Sequence, residues 1–140
     1  MFIPFEAASF PDSAALLTSR GIALTRQRLD IARVLFARCQ HLSAAQILAD
    51  VNAGGADISK ATVYNTLKLL LSKALIREVI VDSGKVFYDS NIAPHHHLYD
   101  MDSGEIIDID AAHIAVTGLP SLPTGMVADG VDIIIRMRRG

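Results

Sequence analysis

The sequence predicts an α+β protein with two small domains: an N-terminal winged helix-turn-helix domain over residues 1–90 and a C-terminal α/β domain over residues 91–140. Two observations support this fold class. Apolar residues recur at helical spacing as far as residue 74, and beyond it short apolar runs are separated by turn residues, as in strands. Helices followed by a β-hairpin are the layout of a winged helix, and the later strands then form a unit of their own.

Capping residues mark the first three helices. Asp12 or Ser13 can cap a short helix that stops at Gly21, and a second helix begins near Thr25. The third begins at Ser43, where "SAAQ" forms a capping box. The apolar positions expected in the core are Ile31, Val34 and Leu35 of the second helix and Ala44, Ile47, Leu48 and Val51 of the third.

The fourth helix, from Ser59 to Leu71, is the candidate recognition helix. Ser59 is a good N-cap residue. Two β-rich runs after the helix flank the turn residues 82–85, which predicts a hairpin over residues 77–88 that serves as the wing. The apolar stripe of this helix consists of Val63, Leu67, Leu70, Leu71 and Ala74.

Basic residues concentrate in the N-terminal half, although the net charge of the chain is −2. Residues 20–73 contain eight Lys and Arg against three Asp and Glu, whereas residues 83–140 contain four against eight. This asymmetry favours double-stranded DNA as a partner of the first half. The side chains expected to contact phosphates are Arg26, Arg28, Lys60 and Lys68, and those expected to contact bases are Thr62, Tyr64 and Asn65.

The C-terminal half is predicted to contain three strands and one helix. The runs "HHHLYDM" and "EIIDID" are short strands joined by a turn at residues 102–104, and a short helix is expected from Asp110 to Thr117. The segment "VDIIIRMRR" is the last strand, with Val131, Ile133, Ile135 and Met137 on one face. A unit this small has a weak core of its own, so we expect it to be the dimerisation domain of a homodimer.

The histidine triplet is the clearest candidate for a metal site. Successive residues of a strand point to opposite faces, so His95 and His97 project together while His96 projects away. Asp108 lies on the next strand, and Asp89 ends the wing strand six residues before His95. Such a mixed nitrogen and oxygen ligand set suits Fe(II), Mn(II) or Zn(II). The alternative is a polar strand end with exposed, inert histidines.

Several features bound the class of protein. No apolar run approaches the length of a membrane span, and the N-terminus lacks the pattern of a signal peptide, so we expect a cytoplasmic protein without a membrane partner. The single cysteine, Cys39, excludes an intrachain disulfide and is expected to be a small buried hydrophobic residue.

Four motifs resemble the ferric uptake regulator (Fur) family in their order and spacing: "LTRQR", "HLSAAQIL", "ATVYNTLKLL" and "HHHLYDMDSGEIIDI". The resemblance covers roughly residues 15–110 and, more loosely, the final strand. Within the family the chain is most similar to the iron response regulator (Irr) branch, which responds to haem. The resemblance implies a dimer that binds DNA, with Tyr64 contacting bases, and a regulatory metal site between the domains. The implied ligands are His41, Asp89, His95, His97 and Asp108.

The chain also departs from the family pattern. The positions of a common C-x-x-C motif are Asp100 and Ser103, so a four-cysteine structural zinc site is not expected. Asn65 replaces the usual arginine after the tyrosine, and Ala23 replaces a lysine that contacts the minor groove. Because Gln40 rather than proline follows the cysteine, no Cys-Pro haem motif is present. A haem ligand would therefore come from His95, His96 or His97.

These observations predict a transcription regulator of iron homeostasis, Irr-like and not an enzyme, whose operator binding is modulated by haem or a divalent metal between the domains. For an Irr-like protein, the resemblance implies that haem weakens DNA binding. The principal alternative is an ordinary Fur-type repressor that depends on Fe(II) or Mn(II). A small non-haem metalloenzyme with two histidines and a carboxylate is a further alternative, as is a metal-independent winged-helix dimer.

Overall fold

A computed structural model describes residues 12–82 and 84–140 of the chain and confirms the α+β class. The chain divides into two compact units, one that ends at Ile92 and one that comprises Ala93–Gly140. The N-terminal stretch before residue 12 and Ser83 of the predicted wing turn lie outside the described residues. The first unit contains α1 Ser13–Ser19, α2 Arg26–Phe36, β1 His41–Leu42, α3 Ala44–Ala53, α4 Lys60–Ser72, β2 Arg77–Asp82 and β3 Lys85–Asp89. The second contains β4 His95–Asp100, β5 Ile106–Asp110, a 3-10 turn Ala111–His113 and β6 Ile134–Met137.

The predicted caps begin all four helices. The side chain of Asp12 accepts a hydrogen bond from the backbone N–H of Ala14, and Thr25 caps α2 in the same way. Ser43 and Gln46 form the reciprocal capping box of α3, and Ser59 caps α4. Each cap satisfies a backbone donor that the helix itself leaves unpaired. The residue at which each of these helices begins can therefore be predicted from the sequence.

The three helices α2, α3 and α4 pack around one apolar core. Its fully buried members include Ile31, Leu35, Ile47 and Val63, as the helical spacing predicts. The predicted apolar stripe of α4 is wrong at its last residue, Ala74. The helix ends at Ser72, and Ala74 is exposed with a φ of 54°. Leu75 and Ile76 take its place in the core.

A three-stranded sheet completes the first unit, in the order β1-β3-β2. The hairpin of β2 and β3 was predicted, but the short strand β1 was not. It pairs antiparallel with β3, and this register sets His41 directly opposite Asp89. Cys39 lies just before β1 and is exposed, so the expectation that it is buried is wrong.

The second unit is a three-stranded sheet in the order β5-β4-β6. Strand β4 pairs antiparallel with β5 and parallel with β6. The predicted helix from Asp110 to Thr117 is wrong, because only the 3-10 turn Ala111–His113 forms and Asp110 caps it. Ile114, Val116 and Thr117 are β-branched and disfavour a helix. The last strand begins at Ile134, later than expected. Within the described residues, no helix is long and apolar enough to cross a bilayer.

Candidate metal centre

All three histidines of the triplet are buried side chains of β4. His95, His96 and His97 expose 3%, 8% and 2% of their surface, so the alternative of solvent-exposed histidines does not hold. The pleat of the strand sends His95 and His97 to one face, where their rings meet edge to face with centroids 4.6 Å apart. Buried imidazoles require polar partners, and these two find theirs on β5.

Asp108 serves both histidines at once. It lies directly opposite His97 in the β4–β5 register. Its Oδ1 lies 3.6 Å from Nε2 of His95 and 3.4 Å from Nε2 of His97. These distances exceed the usual N–H···O hydrogen bond of about 2.9 Å. They match the separation of about 3.3 Å between two ligand atoms that share one ion at 2.0–2.1 Å in tetrahedral geometry.

The ring of His95 is oriented by a hydrogen bond at the nitrogen that faces away from Asp108. Its Nδ1 bonds to the backbone carbonyl of Ala93. Because a carbonyl can only accept, Nδ1 carries the ring proton, and the lone pair of the neutral ring is on Nε2. A backbone carbonyl on the far nitrogen is the usual support of a metal-binding histidine. The nitrogen that faces Asp108 is thus prepared to bind a cation.

Asp110 shows that sequence position alone does not make a ligand. It lies opposite His95 in the register and on the same face as Asp108. Its carboxylate instead accepts from the backbone N–H of Ala112, at 2.9 Å, and caps the 3-10 turn. Because its carboxylate caps the turn that ends β5, Asp110 does not join the cluster.

The first unit contains a second pair of candidate ligands, His41 and Asp89. Their side chains meet across the β1–β3 ladder, with Nε2 of His41 at 3.0 Å from Oδ2 of Asp89. The other carboxylate oxygen accepts from the backbone N–H of Asn91 at 2.8 Å. Asp89 is completely buried, and a buried carboxylate is costly unless a cation or several donors stabilise it. The arrangement suits a metal ligand.

Sequence spacing alone missed His41, which only the family resemblance supplied. The strand that carries it has two residues, too few for an alternating pattern to be visible. Its pairing with β3 is a contact between residues 48 positions apart in the chain. No local pattern could have found it.

His96 projects to the other face of β4 and has a different partner. The backbone N–H of Ile133 donates to its Nδ1 at 3.1 Å. The neutral ring therefore carries its proton on Nε2. Of the three haem candidates, His96 is the one whose lone pair is already used within the second unit.

The candidate DNA contacts fall into two groups. Tyr64, Asn65, Lys60 and Lys68 are exposed on α4, and the ammonium of Lys60 lies 6.0 Å from the centre of the Tyr64 ring. Thr62 is half-buried and its hydroxyl lies 3.0 Å from that of Ser59.

The two arginines of α2 that were predicted to contact phosphates, Arg26 and Arg28, differ in their surroundings. Arg26 is highly exposed and lies 3.6 Å from Asp30. Arg28 is half-buried and donates to the carbonyl of Ala23 at 2.8 Å, so it fixes the loop before α2.

Tyr88 and Asp100, which lie outside the metal cluster, have shifted pKa values. Burial raises the pKa of Tyr88, with smaller contributions from the nearby charges of Glu78 and Tyr64. Hydrogen bonds from the backbone N–H groups of Asp102 and Ser103 lower the pKa of Asp100. Asp100 and Ser103, which occupy the positions of the family's common C-x-x-C motif, thus close the β4–β5 turn by hydrogen bonding.

Comparison with known proteins gives a consistent result. The profile of the Ferric uptake regulator family matches residues 19–119. The peroxide-responsive repressor PerR of Staphylococcus aureus strain Mu50 is 30% identical over 97 residues, which are 69% of this chain and 66% of that protein.

Among solved structures, the ferric uptake regulator of Vibrio cholerae aligns with a TM-score of 0.70 at 23% identity, covering 91% of this chain and 100% of that one. The Pseudomonas aeruginosa regulator, solved with manganese, aligns with a TM-score of 0.69 at 22% identity, covering 91% and 97%. At this identity the two structures establish a shared fold.

Proposed function

The chain belongs to the Ferric uptake regulator family, and from that premise we propose that it is a metal-responsive transcription regulator that binds DNA as a homodimer. The observation that supports this most directly is the buried cluster of His95, His97 and Asp108. Three ligand atoms converge there from two paired strands. Burying these polar groups costs free energy, and a regulator that binds no effector would gain nothing from that cost.

We propose that one ion takes ligands from both units. The cluster on β4 and β5 offers two nitrogens and one carboxylate, and His41 with Asp89 offers one more of each. Six peptide bonds connect Asp89 to His95, a span of at most about 20 Å, and a connection this short is compatible with the proposal. Fe(II), Mn(II) and Zn(II) all accept such a set.

Regulation follows from linkage. Ligands on two units that close on one ion restrict the angle between those units. The ion then shifts DNA affinity by the difference between its own affinities for the two arrangements. The same coupling requires operator DNA to tighten or weaken metal binding by an equal factor.

The proposed DNA surface is α4 with the residues around it. Tyr64 and Asn65 are exposed near the start of the helix, where a recognition helix contacts base edges. Asn65 has the donor and acceptor needed for a bidentate pair with adenine. Lys60 and Lys68 supply charge to neighbouring phosphates. Arg26 can join them by giving up its exposed pair with Asp30, which is worth little in water.

The second unit is the proposed dimer interface. Its sheet has two edge strands, β5 and β6, each with one side that no other strand of this sheet covers. Large apolar side chains are also exposed there: Val116, Leu119, Leu122, Met126, Val127, Val131 and Ile135. So many exposed apolar side chains on a small unit are typical of a surface that a second copy covers.

The finer proposal is an Irr-like regulator of iron homeostasis, active in the cytoplasm, that haem controls. It rests on the resemblance, chiefly on Asn65 and the missing C-x-x-C motif. His95 and His97 can offer their Nε2 atoms to a haem iron, whereas His96 would first have to give up its bond from Ile133. The geometry thus favours a bare ion, and haem is the second candidate effector.

The test starts from DNA selection, because the operator is unknown. Duplexes are selected from a random pool with Mn(II), and their affinity is then measured with Mn(II), with EDTA and with haem. We expect a near-palindromic sequence whose affinity changes at least severalfold between Mn(II) and EDTA. A change with haem alone would establish the Irr-like alternative. Failure to enrich any duplex would refute the proposal of a DNA-binding regulator.

A further inference from the structure

The backbone N–H and carbonyl of Ile133 are bound by two consecutive histidines of the triplet. Its N–H donates to Nδ1 of His96 at 3.1 Å, and its carbonyl accepts from the backbone N–H of His97 at 3.0 Å. One contact uses a side chain on the face opposite the metal cluster, and the other uses the backbone of a candidate ligand. The backbone of Ile133 therefore links the side chain of His96 to the backbone of His97.

This hydrogen bond satisfies the Nδ1 acceptor of His96, whose side chain is largely buried. His96 is only 8% exposed, and a buried acceptor without a hydrogen bond costs about 1–3 kcal/mol. The N–H of Ile133 satisfies Nδ1 and leaves the proton on Nε2. We therefore treat this hydrogen bond as one that holds Ile133 against β4 and not as an incidental surface contact.

Strand β6 needs such support. It has four residues, and Ile135 and Arg136 in its middle are exposed. Residues 114–133, all of which the structure describes, form neither helix nor strand and lead into it without a rigid element. A second side chain fixes its other end, since Asp102 accepts from the backbone N–H of Arg139 at 2.9 Å. The strand is thus held at both ends by side chains as well as by its ladder with β4.

We infer that His96 is a positioning residue that fixes the ligand His97 through Ile133 and so couples strand β6 to the metal centre. The inference rests on the proposed metal-binding function. It makes the middle histidine neither a metal ligand nor a haem ligand. Coupling through the backbone of one shared residue has a reciprocal consequence: metal binding protects the Ile133 amide from exchange, and loss of the His96 contact weakens metal binding.

Two substitutions at one position test the inference. His96→Leu removes the acceptor and keeps an apolar side chain in the buried space. His96→Asn retains an acceptor, because its Oδ1 can take the place of Nδ1. Asp102→Ala is the matched control, since it frees the far end of β6 without touching Ile133. The full-length protein is used throughout, and circular dichroism confirms that each variant folds.

Three quantities are measured: the exchange rate of the Ile133 amide by NMR, the protonated nitrogen of His96 from long-range ¹H–¹⁵N correlations, and Mn(II) affinity from the EPR signal of the free ion. We expect Nε2 to carry the proton. His96→Leu should accelerate Ile133 exchange and weaken Mn(II) binding, each about tenfold. His96→Asn should stay within about twofold of the wild type, and Asp102→Ala should accelerate exchange at Arg139 only.

Three results would overturn the inference. Equal loss of Mn(II) binding in both His96 variants, with Ile133 still protected, would make His96 a ligand. Faster Ile133 exchange with unchanged Mn(II) affinity would remove the coupling. An equal loss of affinity in Asp102→Ala would reduce the effect to general destabilisation. If the wild type binds no Mn(II), the proposed function fails, and the exchange data alone then decide whether His96 holds Ile133.

Discussion

Lys68 and Arg28 were both expected to neutralise phosphates, yet their surroundings differ: Lys68 is exposed, whereas Arg28 donates to the Ala23 carbonyl. We therefore predict opposite effects of their substitution on DNA binding and on stability. Lys68 is exposed on α4, so in the proposed complex of the dimer with its operator we expect Lys68→Ala to remove one phosphate contact per protomer, or two per dimer. Each lost contact lowers the slope of log K against log salt by about 0.9. We therefore expect the slope of the dimer to fall by about 1.8, with unfolding unchanged within about 0.5 kcal/mol.

Arg28→Ala should show the reverse pattern. The guanidinium donates to the Ala23 carbonyl at 2.8 Å and is half-buried. Loss of a charged hydrogen bond of this kind, discounted for its partial exposure, costs about 1 kcal/mol. Fluorescence anisotropy at several KCl concentrations gives the slope, and urea unfolding gives the stability. A slope that falls by about 1.8 in Arg28→Ala, or stays constant in Lys68→Ala, would refute the assignment.

The shifted pKa values of Asp100 and Tyr88 and the Ser43 cap of α3 give the remaining predictions. The pKa of Asp100 is lowered in the folded state, so its contribution is present above its unfolded pKa and is lost as the pH falls through the folded value. Asp100→Ala should flatten the decline of stability below about pH 4, measured by thermal unfolding from pH 2 to 6; an unchanged pH profile would contradict this. The pKa of Tyr88 is raised, so stability is lost as the pH rises above about 10. Tyr88→Phe should resist alkaline unfolding better than the wild type, and an identical alkaline midpoint would count against the burial argument. Ser43→Ala should cost about 1 kcal/mol in urea unfolding, and no loss would mean that the capping box is not needed.

The parts of the fold that follow from local pattern were accessible from the sequence. Ser43 and Ser59 cap helices because their hydroxyls satisfy orphan donors within three residues, which is a property of a few adjacent positions. The shared face of His95 and His97 follows from the pleat of a single strand. These features need no knowledge of what lies across the chain.

The parts that depend on distant contacts were not accessible. Strand β1 forms because β3 pairs with it, and two residues are too few for a strand to be recognised in the sequence. The helix expected after Asp110 failed because its side chain caps a tighter turn and the β-branched residues that follow disfavour a helix. Arg28 had a basic side chain in a basic segment, but only the folded chain shows that the Ala23 carbonyl binds it. Charge patterns identify a surface, not the partner of one guanidinium.

The central claim is that one ion takes ligands from both units, and a Mn(II) titration of four proteins tests it most directly. The proteins are the wild type, His41→Ala of the first unit, His97→Ala of the second, and His113→Ala as an exposed control outside the cluster. We expect one tight site per chain, weakened about tenfold or more by either of the first two substitutions and unchanged by the third. If His97→Ala abolishes binding while His41→Ala binds as tightly as the wild type, the second unit holds the ion alone and the claim is contradicted.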